Sequence, residues 1–128
     1  MRTLKLWIPV IIWCGVIFFV SGLSQLGVVR SLWDFILRKI AHAGEYFILT
    51  LLLYRAVKGS FSLNTRFLRI LPFMLSFLYA VSDELHQFFV PKRNCSITDI
   101  AIDTLGILIF YALIKFSKKF NEKAVLWI

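Results

Sequence analysis

Four long apolar stretches, each bounded by short segments rich in polar and charged residues, outline the chain. Residues 6–29 carry no charged side chain, and at ~1.5 Å per residue a helix of that length crosses the ~30 Å hydrocarbon layer of a membrane. Residues 40–57, 65–89 and 96–116 form three further stretches of sufficient length. The sequence therefore predicts an all-α, polytopic membrane protein with four transmembrane helices in a single domain, residues 1–128.

Two helix starts are marked by short polar signals. Ser31 and Asp34 stand three residues apart, as do Ser96 and Asp99. Both pairs resemble a capping box, in which a serine hydroxyl and an acidic side chain bind the first backbone N–H groups of a helix. We therefore expect the second helix to begin at Leu32, ahead of its membrane portion, and the fourth helix to begin directly after Ser96.

The composition supports a membrane environment. Hydrophobic residues make up 59% of the chain and charged residues 17%, whereas soluble domains are ~45–50% apolar and ~25% charged. A soluble core of this size cannot hide so much apolar surface. This argues against a soluble enzyme, a disordered tail and a nucleic-acid-binding domain, although the net charge is +8. Cys14 and Cys95 show no CxxC spacing, so we expect two free thiols.

The Lys and Arg residues are divided unequally between the two predicted membrane faces. With four spans, the N-terminus, the middle loop and the C-terminal tail share one face, which holds ten of the 15 Lys and Arg residues. Because cytoplasmic loops carry the excess of basic residues, both termini are predicted to be cytoplasmic. The five basic residues of the opposite face are Arg30, Arg38, Lys39, Lys92 and Arg93.

Ionisable side chains inside a membrane span are costly, so each marks a candidate functional position. Glu45, Asp83 and Asp103 lie six or seven residues from the ends of their spans, which places all three ~9–10 Å inside the same membrane face. The count of basic residues makes that face the extracytoplasmic one. Six ionisable residues of the predicted spans stand out: His42, Glu45, Asp83, His86, Asp99 and Asp103.

Helical spacing gathers these residues onto one face of each helix, because residues three or four apart are neighbours on a helix surface. The three faces are His42, Glu45 and Tyr46; Tyr79, Ser82, Asp83, His86 and Gln87; and Asp99, Asp103 and Gly106. Facing inward, they would enclose a polar pocket open to the outer head groups. Lys39, Lys92 and Arg93 would surround its mouth, where Lys39 and Arg93 suit the binding of a phosphate.

Two chemistries suit such a pocket. In a metal-free version, His42 and His86 act as nucleophile or general acid and base, the carboxylates of Glu45, Asp83 and Asp103 orient them, and the phosphate charge is stabilised by basic side chains. In a metal-assisted version, the ligands of a divalent ion are His42, Glu45, Asp83 and His86. The metal-free version is slightly favoured. A purely structural hydrogen-bond cluster that ties the helices together is the remaining interpretation.

Five residues are expected to support the pocket: Tyr46, Glu84, Gln87, Ser96 and Asp99. Asp99 is equally well explained by its capping position, where it would only bind helix N–H groups. Glu84 lies one residue away from the face that carries Asp83, so we expect it to pair with Lys92, Arg93 or solvent.

Residues 39–46, 79–93 and 96–106, which carry these candidates, resemble the VanZ-like family. The middle segment reads DExHQxFxPxR from Asp83 and continues into DxxxDxxG from Asp99, and the likeness extends over residues 6–116. Lys92 stands where the family pattern often has glycine, and Asp103 stands where it often has asparagine. This chain therefore adds charge to the pocket.

The resemblance implies a small protein of the bacterial plasma membrane, linked to reduced susceptibility to teicoplanin-type glycopeptides and to membrane domains that act on lipid head groups. We expect it to act at the outer leaflet on a phosphate-linked lipid head group, phospholipid or polyprenyl cell-wall precursor, as a phosphoesterase or transferase. The alternative is a non-catalytic membrane protein that captures a cell-wall precursor, an antibiotic or a partner protein. Family likeness alone does not decide between them. The expected partners are membrane lipids or a lipid-linked precursor, and not nucleic acid.

Overall fold

The computed structural model describes residues 1–23, 30–91 and 96–117, and this part of the chain forms four α-helices. They are α1 (Arg2–Ser21), α2 (Leu32–Ser60), α3 (Thr65–Phe88) and α4 (Ile97–Ser117). All four are long and apolar enough to cross a membrane. The predicted fold of four membrane-spanning helices is confirmed, whereas the cytoplasmic placement of both termini stays a prediction.

The helix boundaries follow local signals closely. The Ser31 hydroxyl accepts a hydrogen bond from the backbone N–H of Asp34 at 3.1 Å, and α2 begins at Leu32 as predicted. The predicted bounds of α3 and α4 agree with the structure to within one residue. The first helix begins before its predicted apolar stretch, and residues 24–29 of that stretch lie outside the described residues.

Consecutive helices run in opposite directions. Trp7, near the start of α1, donates its indole N–H to the Ser60 hydroxyl at the end of α2 (2.9 Å). Ser21, at the end of α1, is hydrogen-bonded to His86 near the end of α3 (2.8 Å). The start of α1 and the end of α4 therefore share one end of the bundle, here called the termini end. The opposite end is called the cluster end.

The second helix is the centre of the bundle, because it packs against each of the other three and most extensively against α4. Its inward residues are almost wholly buried: Tyr46, Leu49, Leu53, Ala56 and Val57. Large apolar side chains remain exposed on the outer surfaces of all four helices. In water such a surface would aggregate, whereas in a bilayer it contacts lipid.

Gly106 allows α2 and α4 to approach closely at the cluster end. A Cβ atom added at this position would overlap the backbone carbonyl of Ala43 on α2. Small residues at helix crossings in membranes let backbones meet in this way. On α4 this close approach lies one turn beyond Asp103, and on α2 it lies one residue beyond His42.

Candidate functional site

Polar residues from α2, α3 and α4 meet at the cluster end. The His42 Nδ1 atom lies 3.2 Å from Asp103 Oδ1, which joins α2 to α4. The Tyr46 hydroxyl donates to Asp83 Oδ2 (3.3 Å), which joins α2 to α3. These bonds place the charged residues of three helices at one level of the bundle.

The tightest group consists of His42, Glu84 and Asp103, here called the central cluster. One nitrogen or oxygen atom from each residue lies within 4.8 Å of the others. Glu84 and Asp103 are 0% exposed, and the side chain of His42 is 15% exposed. The two carboxyl groups are therefore held in the interior, with the imidazole beside them.

Two oxygens of the central cluster have no hydrogen-bond partner among the described residues. They are Glu84 Oε1 and Asp103 Oδ2, and both are buried. A buried polar oxygen without a partner costs about 1–3 kcal/mol, and an unpaired charge costs more. Such orphaned atoms call for a ligand, a proton or a counter-ion at that place. Mixed imidazole and carboxylate donors at this spacing suit a divalent cation such as Zn²⁺ or Mn²⁺.

The burial of Glu84 corrects its expected position. The expected alternative of pairing with Lys92 or Arg93 lies outside the described residues. Glu84 is 0% exposed and does not face solvent, and its Oε2 accepts a hydrogen bond from the backbone N–H of Ser96 (3.1 Å). The physical reason is that α3 lies against both α2 and α4, so adjacent residues about 100° apart on the helix face different neighbours. Asp83 faces Tyr46 of α2, and Glu84 faces the start of α4.

A signal for the inward position of Glu84 was present in the sequence. Ala80 precedes it by four residues and Gln87 follows it by three, and both are buried, with 0% and 2% exposure. Small and polar residues at this helical spacing form a second inward face of α3.

His86 points away from the central cluster. It is hydrogen-bonded to the Ser21 hydroxyl of α1, and its ring stacks on Phe18 with centroids 4.4 Å apart. This contact of Ser21 was not predicted, because its only local signal is a polar residue near the end of an apolar stretch. The predicted pocket used residues of three helices, whereas α1 also contacts one of these residues through Ser21 and Phe18.

The predicted set of metal ligands therefore differs from the set that the structure gathers. Of His42, Glu45, Asp83 and His86, only His42 belongs to the central cluster. Asp83 accepts from Tyr46 and from the Gln87 amide, the latter at 3.5 Å. Glu45 is half-buried, and its backbone carbonyl accepts the indole N–H of Trp13 (2.9 Å).

Lys39 lies one helical turn before His42 on α2. Lys39 forms an ion pair with Asp99, and its Nζ lies 5.2 Å from the centre of the Phe35 ring. Asp99 therefore lies in the first turn of α4 and also joins α4 to α2 through this ion pair. The predicted phosphate ligand Arg93, together with Lys92 and Cys95, lies outside the described residues. Cys14 is a free thiol, as predicted.

Comparison with known proteins agrees with this architecture. A sequence model of the family described as VanZ/LLP1 matches residues 6–118. The uncharacterized membrane protein YwnJ of Bacillus subtilis (strain 168) is 31% identical over 106 residues, which is 83% of this chain. The chain spans 66% of the length of that relative. No solved structure matches the chain.

The family model covers nearly the whole described bundle, including every residue of the central cluster. The relative is likewise named as a membrane protein. With four membrane-spanning helices and this match, the chain belongs to the VanZ-like (VanZ/LLP1) family of membrane proteins.

Proposed function

We propose that the central cluster binds one divalent cation and that the protein uses this site to act on phosphate-linked lipid head groups. One observation carries the proposal: one ligand atom from each of two fully buried carboxyl groups and an imidazole lie within 4.8 Å of one another, and each carboxyl group has an oxygen without a hydrogen-bond partner among the described residues. A cation held by these two carboxyl groups would offset their charge. The hydrogen bonds among the described residues leave those two oxygens without a partner.

The chemistry follows from the donors. A divalent ion bound by His42, Glu84 and Asp103 would keep open positions for a phosphate oxygen or a water molecule, and would stabilise the negative charge that develops during phosphoryl transfer. Lys39 lies at the mouth, where a phosphate could replace Asp99 as its partner. Arg93 is proposed to hold the same phosphate. The predicted catalytic roles of Glu45, Asp83 and His86 stay predictions.

The substrate is proposed to enter from the lipid. The outer faces of the helices are apolar and exposed, so a lipid can diffuse against the bundle with its head group at the level of the cluster end. The count of basic residues favours the extracytoplasmic leaflet of the bacterial plasma membrane for that end. A polyprenyl cell-wall precursor or a phospholipid fits this description, and the family resemblance adds a link to teicoplanin-type glycopeptides.

A second candidate is a non-catalytic protein that captures a lipid-linked precursor, an antibiotic or a partner. The observation that favours it is the number of bonds that the polar residues make between helices, among them His42 to Asp103, Tyr46 to Asp83 and Ser96 to Glu84. If these residues act only as connections, replacing Asp83 by Asn lowers the unfolding temperature and changes no lipid. If Asp83 instead has a catalytic role, the same replacement is expected to cost little stability, as is common for catalytic groups.

The test is calorimetric titration of chelator-treated protein in detergent with Mn²⁺ and Zn²⁺. We expect one cation per chain, bound at least about tenfold more weakly by Asp103→Asn and by Glu84→Gln. Asp34→Asn is the matched control, because Asp34 lies outside the cluster and pairs with Arg38 at the start of α2. Equal affinity in all four proteins would contradict the cation site.

Turnover is then measured by mass spectrometry of phospholipid and polyprenyl phosphate vesicles that contain the protein. Loss of head groups in the wild type, and not in Asp103→Asn, supports the enzyme. Cation binding without any change in the lipids supports the capture protein instead. Turnover that persists in Asp103→Asn contradicts the proposed site.

A further inference from the structure

A second recess lies at the termini end, away from the central cluster. It is a cavity of about 590 Å³ between α1, α2 and α4. Its inner wall is apolar and includes Leu51, Phe110, Leu113 and Ile114. Its volume falls within the range of ~300–1,000 Å³ that is usual for small-molecule sites.

The rim of this cavity is strongly basic. Arg2 and Lys5 reach it from α1, and Arg55 and Lys58 reach it from the last turns of α2. Among the described residues, no acidic side chain lines it. Within the described residues, α1 has no acidic residue, and in α2 and α4 none follows Glu45 or Asp103. The positive charge at this end is therefore not balanced by the described part of the protein.

Part of the apolar wall consists of packed aromatic rings. Phe110 contacts both Tyr54 and Phe47 edge-to-face, with ring centres 5.7 and 5.9 Å apart. Gly59 brings α1 close to α2 beside the basic rim, because a Cβ atom at that position would overlap the Leu6 side chain. The wall is thus formed by contacts within the bundle and needs no ligand to assemble.

We propose that this cavity binds one anionic glycerophospholipid, with its phosphate between the basic side chains and an acyl chain along the apolar wall. Basic recesses between membrane helices attract anionic head groups, and each Lys or Arg near the surface contributes. A soluble phosphate would make no use of the apolar wall. A zwitterionic lipid carries its own cation, which Arg55 and Lys58 would repel. The site is separate from the central cluster and does not depend on the proposed function.

Native mass spectrometry of the full chain in detergent, titrated with phosphatidylglycerol or phosphatidylcholine, tests the proposal. We expect one molecule of phosphatidylglycerol to bind at least about tenfold more tightly than phosphatidylcholine. Arg55→Gln combined with Lys58→Gln should remove that preference. The matched control combines Arg66→Gln with Lys115→Gln, which removes the same charge from the same end of the bundle outside the cavity.

A second variant tests the apolar wall. Leu51→Trp fills the cavity and should weaken phosphatidylglycerol binding about tenfold while the rim stays intact. If its helix content shows that it does not fold, Ile114→Phe fills the same space with a smaller change. Glu84→Gln should bind phosphatidylglycerol as the wild type does, which separates this site from the central cluster.

Three results would overturn the proposal. Equal binding of the two lipids would contradict the proposed selection of an anionic head group by the basic side chains. An equal loss of affinity in the control pair Arg66→Gln and Lys115→Gln would show attraction to the surface in general. Unchanged binding in a folded cavity-filling variant would show that the head group adsorbs without the acyl chain entering.

Discussion

Replacing Gly106 by alanine should separate α2 from α4 and disrupt the central cluster. The added Cβ atom would overlap the Ala43 carbonyl, and ordinary contact at 3.4 Å or more returns only if the helices move apart by on the order of 1 Å. The distance between His42 and Asp103 is 3.2 Å, so that movement takes the pair beyond hydrogen-bond range.

The energetic effect can be worked from these contacts. Overpacking at a tight crossing costs about 1–3 kcal/mol, and the loss of a buried hydrogen bond costs a further 1–3 kcal/mol or so. Alanine recovers about 1 kcal/mol through its better helix propensity. We therefore expect Gly106→Ala to lower the free energy of unfolding by about 1–5 kcal/mol and to weaken cation binding at the same time.

The measurement is denaturant unfolding in detergent, followed by helix circular dichroism, together with Mn²⁺ titration. Gly44→Ala is the matched control, because it lies in α2 beside Ala43 and a Cβ atom there meets nothing within 4 Å. The control should be as stable as the wild type or slightly more so. A Gly106→Ala protein that matches Gly44→Ala in stability and in cation affinity would refute the close-packing argument.

Three further outcomes are expected. Tyr46→Phe leaves Asp83 with the weaker Gln87 contact and should lower the unfolding free energy by about 1–3 kcal/mol, measured by the same denaturant titration. Ser21→Ala removes the partner of His86 and should cost about 0.5–1.5 kcal/mol while Mn²⁺ affinity is unchanged; a loss of affinity would show that the His86 region and the central cluster are coupled. Chelator treatment of protein purified with its cation should lower the unfolding temperature, and re-addition of Mn²⁺ should restore it, because a ligand that binds only the folded state stabilises it.

The helices were predictable because their signals are local. An uninterrupted apolar stretch predicts a membrane-spanning helix. Ser31 marks the start of α2, because its hydroxyl accepts a hydrogen bond from the backbone N–H of Asp34 three residues later. The level of the charged residues also followed from counting residues along each helix. That count requires only the rise per residue and the ends of the span.

The partners of individual side chains were not predictable in the same way. Glu84 and Asp83 are neighbours in sequence, yet one faces α4 and the other α2, since the rotation of α3 within the bundle decides which face meets which helix. His86 shares a helix face with Asp83, but it is hydrogen-bonded to Ser21 of α1. Such choices depend on long-range packing, which sequence spacing alone does not specify.

The most direct test of the central cluster is X-ray absorption of the Zn²⁺-loaded protein in detergent. The chain has only two histidines, so a bound imidazole can be assigned by replacing each in turn. We predict imidazole scattering from the zinc in the wild type and in His86→Gln, and its disappearance in His42→Gln. Imidazole scattering that survives in His42→Gln, or that vanishes in His86→Gln, would contradict the assignment of His42, Glu84 and Asp103 as the cation site.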